Sequence, residues 1–255
     1  MSGEIYMAAA AALAYEKRLE VTANNLANLQ TTGFKRQAVS FRAYVLDEEN
    51  RPREVLPPYP RVPDASRFWI AWEARVDPAP GALRQTGNPL DLALNGPGFF
   101  TVESPAGTRY TRRGNFTLNA EGVLVTQEGW PVQGEGGEIR IEGGRAAGGR
   151  AMVSVGRDGT VRVDERDVGR LRVEEIPAEA LVRAENGYFA PPPGGGAPLA
   201  EFDLAQGFLE MSNVEAVRGM VEMIEILRGY ESYQRLMRAV DEINAKSVSE
   251  LGRSA

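Results

Sequence analysis

The apolar residues of this chain change their period twice. Near both ends they recur at alternating intervals of three and four, and in the middle they alternate in twos. The first spacing is that of a helix and the second that of a strand, so the chain is partitioned before any other feature is considered. At the N-terminal end, Ile5, Ala8, Ala12, Tyr15, Leu19, Thr22, Leu26 and Leu29 follow a heptad seam and predict one helix over residues 4–32. Two alanines and one threonine make that seam thin enough for close approach of a partner. Gly33 would then stop the helix in the left-handed conformation, leaving Phe34 to pack back on its last turn.

A second helix is predicted over residues 212–250. Ser212 or Asn213 can cap it, and Glu215 places negative charge in its first turn. Val214, Val217, Val221, Ile224 and Leu227 begin an apolar stripe that Tyr230, Tyr233, Leu236, Met237, Val240 and Ile243 continue. Met220, Met223 and Ile226 widen it beyond one face, and Glu222, Glu225, Arg228, Glu231, Arg235 and Arg238 form the polar side. The simplest reading is a two-helix hairpin within one monomer, antiparallel or parallel. So broad a stripe needs more neighbours than one thin helix provides, however, which favours a self-associating bundle.

Between the helices, short alternating runs such as "GFFTVES", "NFTLN", "GVLVTQ" and "TVRVD" follow one another with turn signals between them. "FTLNAEGVLVT" and "VSVGRDGTVRV" read as hairpins turning at Gly122 and at Asp158-Gly159. No βαβ period is present, so the expected fold is a mainly β central module, sandwich- or barrel-like, between long N- and C-terminal helices that form a coiled-coil assembly layer. The expected domains are a terminal helical assembly domain of residues 1–35 plus 207–255, an extended connector over 36–80, and the β-rich module over 81–206. The connector, with its prolines and the cluster "RFWIAWEARV", should hold one ordered strand. "GGRAAGGR" reads as a mobile loop and "PPPGGGAP" as a linker.

Chemistry is hard to find. The chain has no cysteine and no histidine, which removes thiolate nucleophiles, disulfides and imidazole acid–base catalysis. Its net charge of −6 argues against general nucleic-acid binding. The glycines of "GEGGEIRIEGGRAAGGR" lack the lysine and following helix of a phosphate loop. The carboxylate pairs Asp91 with Glu103 and Asp158 with Asp164 could be imagined at a glycosidase site, but charged residues on outer strand faces are ordinarily solvated. No catalytic residue, metal site, cofactor or small-molecule substrate is expected. The N-terminal apolar run lacks a basic region before it and carries Glu4 there instead, unlike a cleavable signal peptide.

The amides of "TANNLANLQTTGFKR" stand out within the first helix. Asn24 and Asn28 lie one turn apart with Asn25 beside them, and Ala23 and Ala27 line the neighbouring face. Such a face can bridge between helices and fix their register. With Thr31, Gly33, Phe34 and Lys35, the stretch resembles the "ANNLANxxTxGFK" signature of bacterial flagellar rod and hook axial proteins. The central "TGNPLDLALNGPGFFTV" and "YTRRGNFTLNAEGVLVTQEGWPVQG" resemble that family's β module, and "QGFLEMSNVEAVRGMVEMIEILRGYESYQRLMRAVDEI" resembles its C-terminal helix. Length and ending favour rod over hook. "GFLEMSNVE" is similar to the distal-rod protein and the ending "YESYQRLMRAVDEINAKSVSELGR" to the proximal-rod paralogue.

The resemblance implies a structural part of the flagellar basal body, exported through the type III apparatus without a cleaved signal. Its partners would be copies of itself and other axial proteins, polymerised into a helical tube that transmits torque. The assembly interface is expected at Leu19, Ala23, Asn24, Asn25, Leu26, Ala27, Asn28, Thr31, Gly33 and Phe34. From the second helix it would take Ser212, Asn213, Val214, Val217, Val221, Ile224, Leu227, Tyr230, Tyr233, Met237 and Val240. Ordering each residue costs roughly 1–2 kcal/mol of backbone entropy against about 1.5–3 gained per large apolar side chain buried, so both ends are expected to be mobile in the monomer. Two alternatives stay open: a hook or hook-associated paralogue, and a secreted β-rich surface binder with helical oligomerisation tails, for which Trp69 and Trp72 would form the aromatic platform.

Overall fold

The computed structural model describes residues 2–46, 51–55, 68–141, 152–164 and 166–251. "GGRAAGGR" and parts of the expected connector lie outside the described residues. The chain divides into two compact units. The first takes the N-terminal segment up to Leu26, Gln37–Ala74 and the C-terminal segment from Glu215; the second takes Ala27–Arg36 and Arg75–Val214.

Two helices dominate the first unit, α1 (Ser2–Ala27) and α2 (Ala216–Leu251). They lie against each other and run antiparallel. Leu26 meets α2 at Gly219, and Tyr15 meets it at Gly229 and Tyr233. A Cβ on Gly219 would stand 2.8 Å from Leu26 Cδ2, and one on Gly229 would stand 2.4 Å from Tyr15 Cε1. Glycine inside a helix costs about 0.5–1 kcal/mol relative to alanine, so these two positions give up helix stability for close approach. The tilted rings of Tyr15 and Tyr233 are 5.4 Å apart, and Arg18 reaches Glu222 at 3.5 Å across the same contact. Within one subunit the two ends are paired helices.

Each helix is shorter than its periodicity suggests. α1 stops at Ala27 rather than near residue 32, because the Asn28 carbonyl accepts the Thr31 N–H in a tight turn and Gly33 then takes φ +64°. α2 starts at Ala216, and the expected cap Asn213 spends its side chain elsewhere, as described below.

Among its described residues, the region expected as a connector with one strand carries three. Pro52–Val55, Gln37–Leu46 and Phe68–Val76 form one sheet in that order, the first two antiparallel with Ala43 opposite Val55. Proline does not forbid this: Pro52 opens the edge strand of the sheet, which pairs on one side only, so a missing N–H is tolerated.

The second unit is β-rich. Its largest sheet is antiparallel throughout, in the order Val182–Arg183, Phe189–Ala190, Gly107–Thr111, Phe99–Ser104, Val173–Glu175 and Ala197–Pro198. The last of these strands lies within "PPPGGGAP", expected as a linker, and again the proline sits on an edge. Phe99, Phe100, Thr101 and Val102 are all buried, so this central strand is covered on both faces and loses the alternation of a half-buried one. Phe100 packs edge-on against Phe116 at 5.2 Å, in a core shared with Leu92, Leu94, Leu124, Val132, Ile139 and Ile141.

Both expected hairpins form: Thr117–Leu118 pairs with Leu124–Val125, and Val153–Val155 with Thr160–Val163. Gly122 and Gly159 turn them at φ +77° and +81°. Further pairings in the unit include Leu92–Asn95 with Asp203–Gln206, Leu83–Gln85 with Phe208–Glu210, Gln133–Gly134 with Gly137–Glu138, and Thr160–Val163 with Arg166–Arg170.

Candidate assembly site

Two constellations involve the residues singled out by sequence, one in each unit. In the β-rich unit, the exit of α1 is seated by a set of specific contacts. Thr31 Oγ1 donates to Asn28 Oδ1 at 3.0 Å, and Gly33 N donates to the Glu210 carbonyl at 2.7 Å. A Cβ on Gly33 would lie 2.4 Å from both the carbonyl carbon of Arg112 and the amide nitrogen of Arg113, so no side chain fits. Phe34 is buried with the Arg183 guanidinium 4.2 Å above its ring, and Arg183 also donates to the Lys35 carbonyl. Asn213 joins the seat from the other chain end. Its Oδ1 accepts the Arg36 N–H at 2.6 Å and its Nδ2 donates to the carbonyls of Asp77 and Ala79.

At the centre sits a buried charge cluster. Lys35 Nζ lies 2.6 Å from Glu210 Oε1 and 2.8 Å from the Ala79 carbonyl. Glu210 Oε1 also accepts the Gly81 N–H, and its Oε2 faces Arg112 Nη1 at 3.3 Å. Arg112 also donates from Nη1 and Nη2 to the carbonyls of Leu94 and Gly96. Burial pulls the Lys35 ammonium below its ordinary value, opposed by the Glu210 carboxylate. Burial lowers Arg112 likewise, against the same carboxylate. The neighbouring Arg112 charge lowers Lys35 further, as a smaller effect than burial.

Glu210 and Arg112 carry no flag in the sequence. Lys35 does: three of the 29 basic residues are lysine, so a lysine in so arginine-rich a chain marks a place for a compact ammonium on a flexible stem.

In the helical unit, Asn25 is buried and holds the start of the strand Gln37–Leu46. Its Nδ2 donates to the Gln37 carbonyl at 2.7 Å and its Oδ1 accepts the Gln37 N–H at 2.9 Å. One amide side chain thus replaces a strand neighbour. Ala23, Asn24 and Ala27 are exposed, whereas Leu19, Leu26, Asn28 and Thr31 are half-buried.

On α2 the sequence stripe splits into two faces. Ile226, Gly229, Tyr230, Tyr233, Met237 and Val240 are buried or half-buried. Val217, Met220, Val221, Ile224 and Leu227 are exposed, from 77% at Val217 to 41% at Leu227. Ser212 and Val214 are half-buried in the approach to the helix.

The other candidates are accounted for locally. Trp72 is 46% exposed with the Lys17 ammonium 5.3 Å above its ring. Asp91 is buried and accepts from Asn88 Nδ2, and Glu103 accepts from Thr108 Oγ1. Asp158 accepts from Thr160 in its turn, which holds its carboxyl below the usual range, and Asp164 accepts the Met152 N–H.

Three stretches match described protein families. Residues 5–35 match "Flagella basal body rod protein", 93–163 match "Flagellar hook protein FlgE/F/G D1 domain", and 205–250 match "Flagellar basal body rod FlgEFG protein C-terminal". Across its whole length the chain is similar to the flagellar basal-body rod protein FlgF of Caulobacter vibrioides, 34% identical over 99% of each chain. The chain belongs to the flagellar basal-body rod protein family. It is 32% identical to FlgF of Rhizobium meliloti over 100% of both chains, and 30% identical to FlgG of Bacillus subtilis over 90% of this chain and 91% of that one. As a rod-family member it is a structural subunit of the flagellar basal body, assembled with other axial proteins. The rod match at 5–35 spans both constellations: it includes Asn25 of the helical unit and the Gly33-Phe34-Lys35 seat of the β-rich one.

Proposed function

We propose that this rod subunit polymerises with copies of itself into a helical axial tube that transmits torque between motor and hook, and that α1 and α2 supply its coiled-coil contact layer. The observation that carries this reading is the outward face of α2. Val217, Met220, Val221, Ile224 and Leu227 recur at helical spacing and remain exposed while α1 occupies the other side. Burying side chains of this kind is worth about 1.5–3 kcal/mol each, so a face of five is a strong inducement to association. Among the expected interface residues, Val217, Val221, Ile224 and Leu227 are the large apolar side chains offered to a neighbour, beside the exposed Ala23, Asn24 and Ala27 of α1. Gly33, Phe34 and Asn213 are engaged within the subunit, and Asn25 supports its own strand.

Coverage of FlgF relatives from end to end, against about nine-tenths for FlgG, favours a FlgF-type place in the rod over a FlgG-type one. The subunit would leave the cell interior through the flagellar type III apparatus without a cleaved signal. It would do no chemistry of its own, in keeping with a chain that contains neither histidine nor cysteine.

The test is assembly of the purified full chain on concentration, alone and with other axial proteins, followed by sedimentation and electron microscopy. Tubes from the natural sequence and none from Leu227→Asp would support the reading. Normal tube growth by that variant would refute it.

A further inference from the structure

The contact between Lys35 and Glu210 joins residues 175 positions apart. Its parts arrive along the chain in sequence: Lys35 just after α1, Ala79 and Gly81 next, Arg112 in mid-body, and Glu210 last, on the strand Phe208–Glu210. Without that carboxylate, two buried cations would face carbonyls alone: Ala79 for Lys35, and Leu94 and Gly96 for Arg112. A buried charge that has lost its counter-charge is strongly unfavourable. The backbone of the same segment depends on the same late residues. Gly33 N donates to the Glu210 carbonyl, Arg36 N to Asn213 Oδ1, and the Phe34 carbonyl accepts the Asn213 N–H.

We propose that Lys35 and Glu210 form an order-setting latch: the segment Ala27–Arg36 seats on the β-rich body only after Phe208–Glu210 has paired with Leu83–Gln85. The exit of the first helix is therefore fixed by the last strand of the body, and an incomplete body leaves it undocked. Lysine suits the task because its long stem can carry the ammonium out to water when the carboxylate is missing. Gly33 reinforces the condition, since its seat is the Arg112–Arg113 backbone, itself held by Glu210 through the Arg112 side chain.

The experiment uses the full-length chain and Glu210→Gln, which keeps the shape and an acceptor for Gly81 but removes the charge. Amide hydrogen exchange is followed at Gly33 and Arg36, and at Leu124 and Val132, whose N–H groups bond within the body core. Glu210→Gln should speed exchange at Gly33 and Arg36 at least about tenfold while Leu124 and Val132 stay within about twofold. Adding Lys35→Met to that variant should recover part of the lost protection, because one stranded cation has gone. Pulse labelling during refolding of the natural sequence should show Leu124 protected before Gly33. The latch is overturned if Glu210→Gln leaves Gly33 and Arg36 unchanged. It is equally overturned if the variant exposes Leu124 and Val132 to the same degree, or if Gly33 becomes protected as early as Leu124.

Discussion

Replacing Gly33 by alanine should destabilise the β-rich unit far more than the same change at an unencumbered glycine. Two terms add at Gly33. Its φ of +64° is a left-handed conformation that costs an L-residue roughly 1–2 kcal/mol. The new methyl would also stand 2.4 Å from two backbone atoms of Arg112 and Arg113, which a side-chain rotation cannot relieve. Overpacking of that kind costs about 1–3 kcal/mol, and reduced freedom of the unfolded chain offsets about 0.4–1 of the total. The net expectation is a loss of about 1–4.5 kcal/mol. Gly87 is the control: its φ is +73°, yet nothing lies within 4 Å of the position a Cβ would take. Gly87→Ala should therefore lose about 1 kcal/mol or less. Urea unfolding of both variants, compared at equal m-values, reads the difference directly. If Gly33→Ala lost no more than Gly87→Ala, the seating of the α1 exit on the Arg112 backbone would be wrong.

Asn25→Leu should cost about 1–3 kcal/mol, because both polar groups of Gln37 lose their partner, and exchange at the Gln37 amide would report it. Asn28→Leu removes the acceptor of Thr31 Oγ1 and should impair tube assembly while leaving the β-rich unit folded, to be checked by electron microscopy and circular dichroism. Leu227→Asp should leave monomer stability within about 0.5 kcal/mol, since the side chain is exposed, and should still abolish tubes. Burial, with the hydrogen bond to Glu128 second, raises the Tyr188 phenol above its ordinary value of 10.0. The unfolded chain then sheds that proton first, so stability present below pH 10 declines as pH rises beyond it. Tyr188→Phe should lower stability at neutral pH by about 1.5–3 kcal/mol and flatten the alkaline decline.

The helices were legible because apolar spacing reports a one-dimensional rule that holds whatever the chain packs against. The split of the α2 stripe into a covered and an open face was not, since Val221 and Ile226 are equally apolar and only the position of α1 distinguishes them. Asn25 and Asn28 look alike in sequence. One became a buried clasp for Gln37 and the other part of a turn, because the chain reverses just beyond them. The strands of the connector hid behind prolines that edge positions accept. The charge cluster was the least visible element: its members lie at positions 35, 112 and 210, and no local pattern links residues so far apart. The low lysine content was the one hint.

Gly219 and Gly229 tie the history of one helix to that of the other. Alanine at either position would make α2 a better helix by itself and a worse companion for Leu26 or Tyr15. A lineage that fills one of these notches must trim the residue opposite, so positions 26 and 219, and 15 and 229, should covary in volume among relatives. The two termini would then evolve as a single unit, although nearly the whole chain separates them.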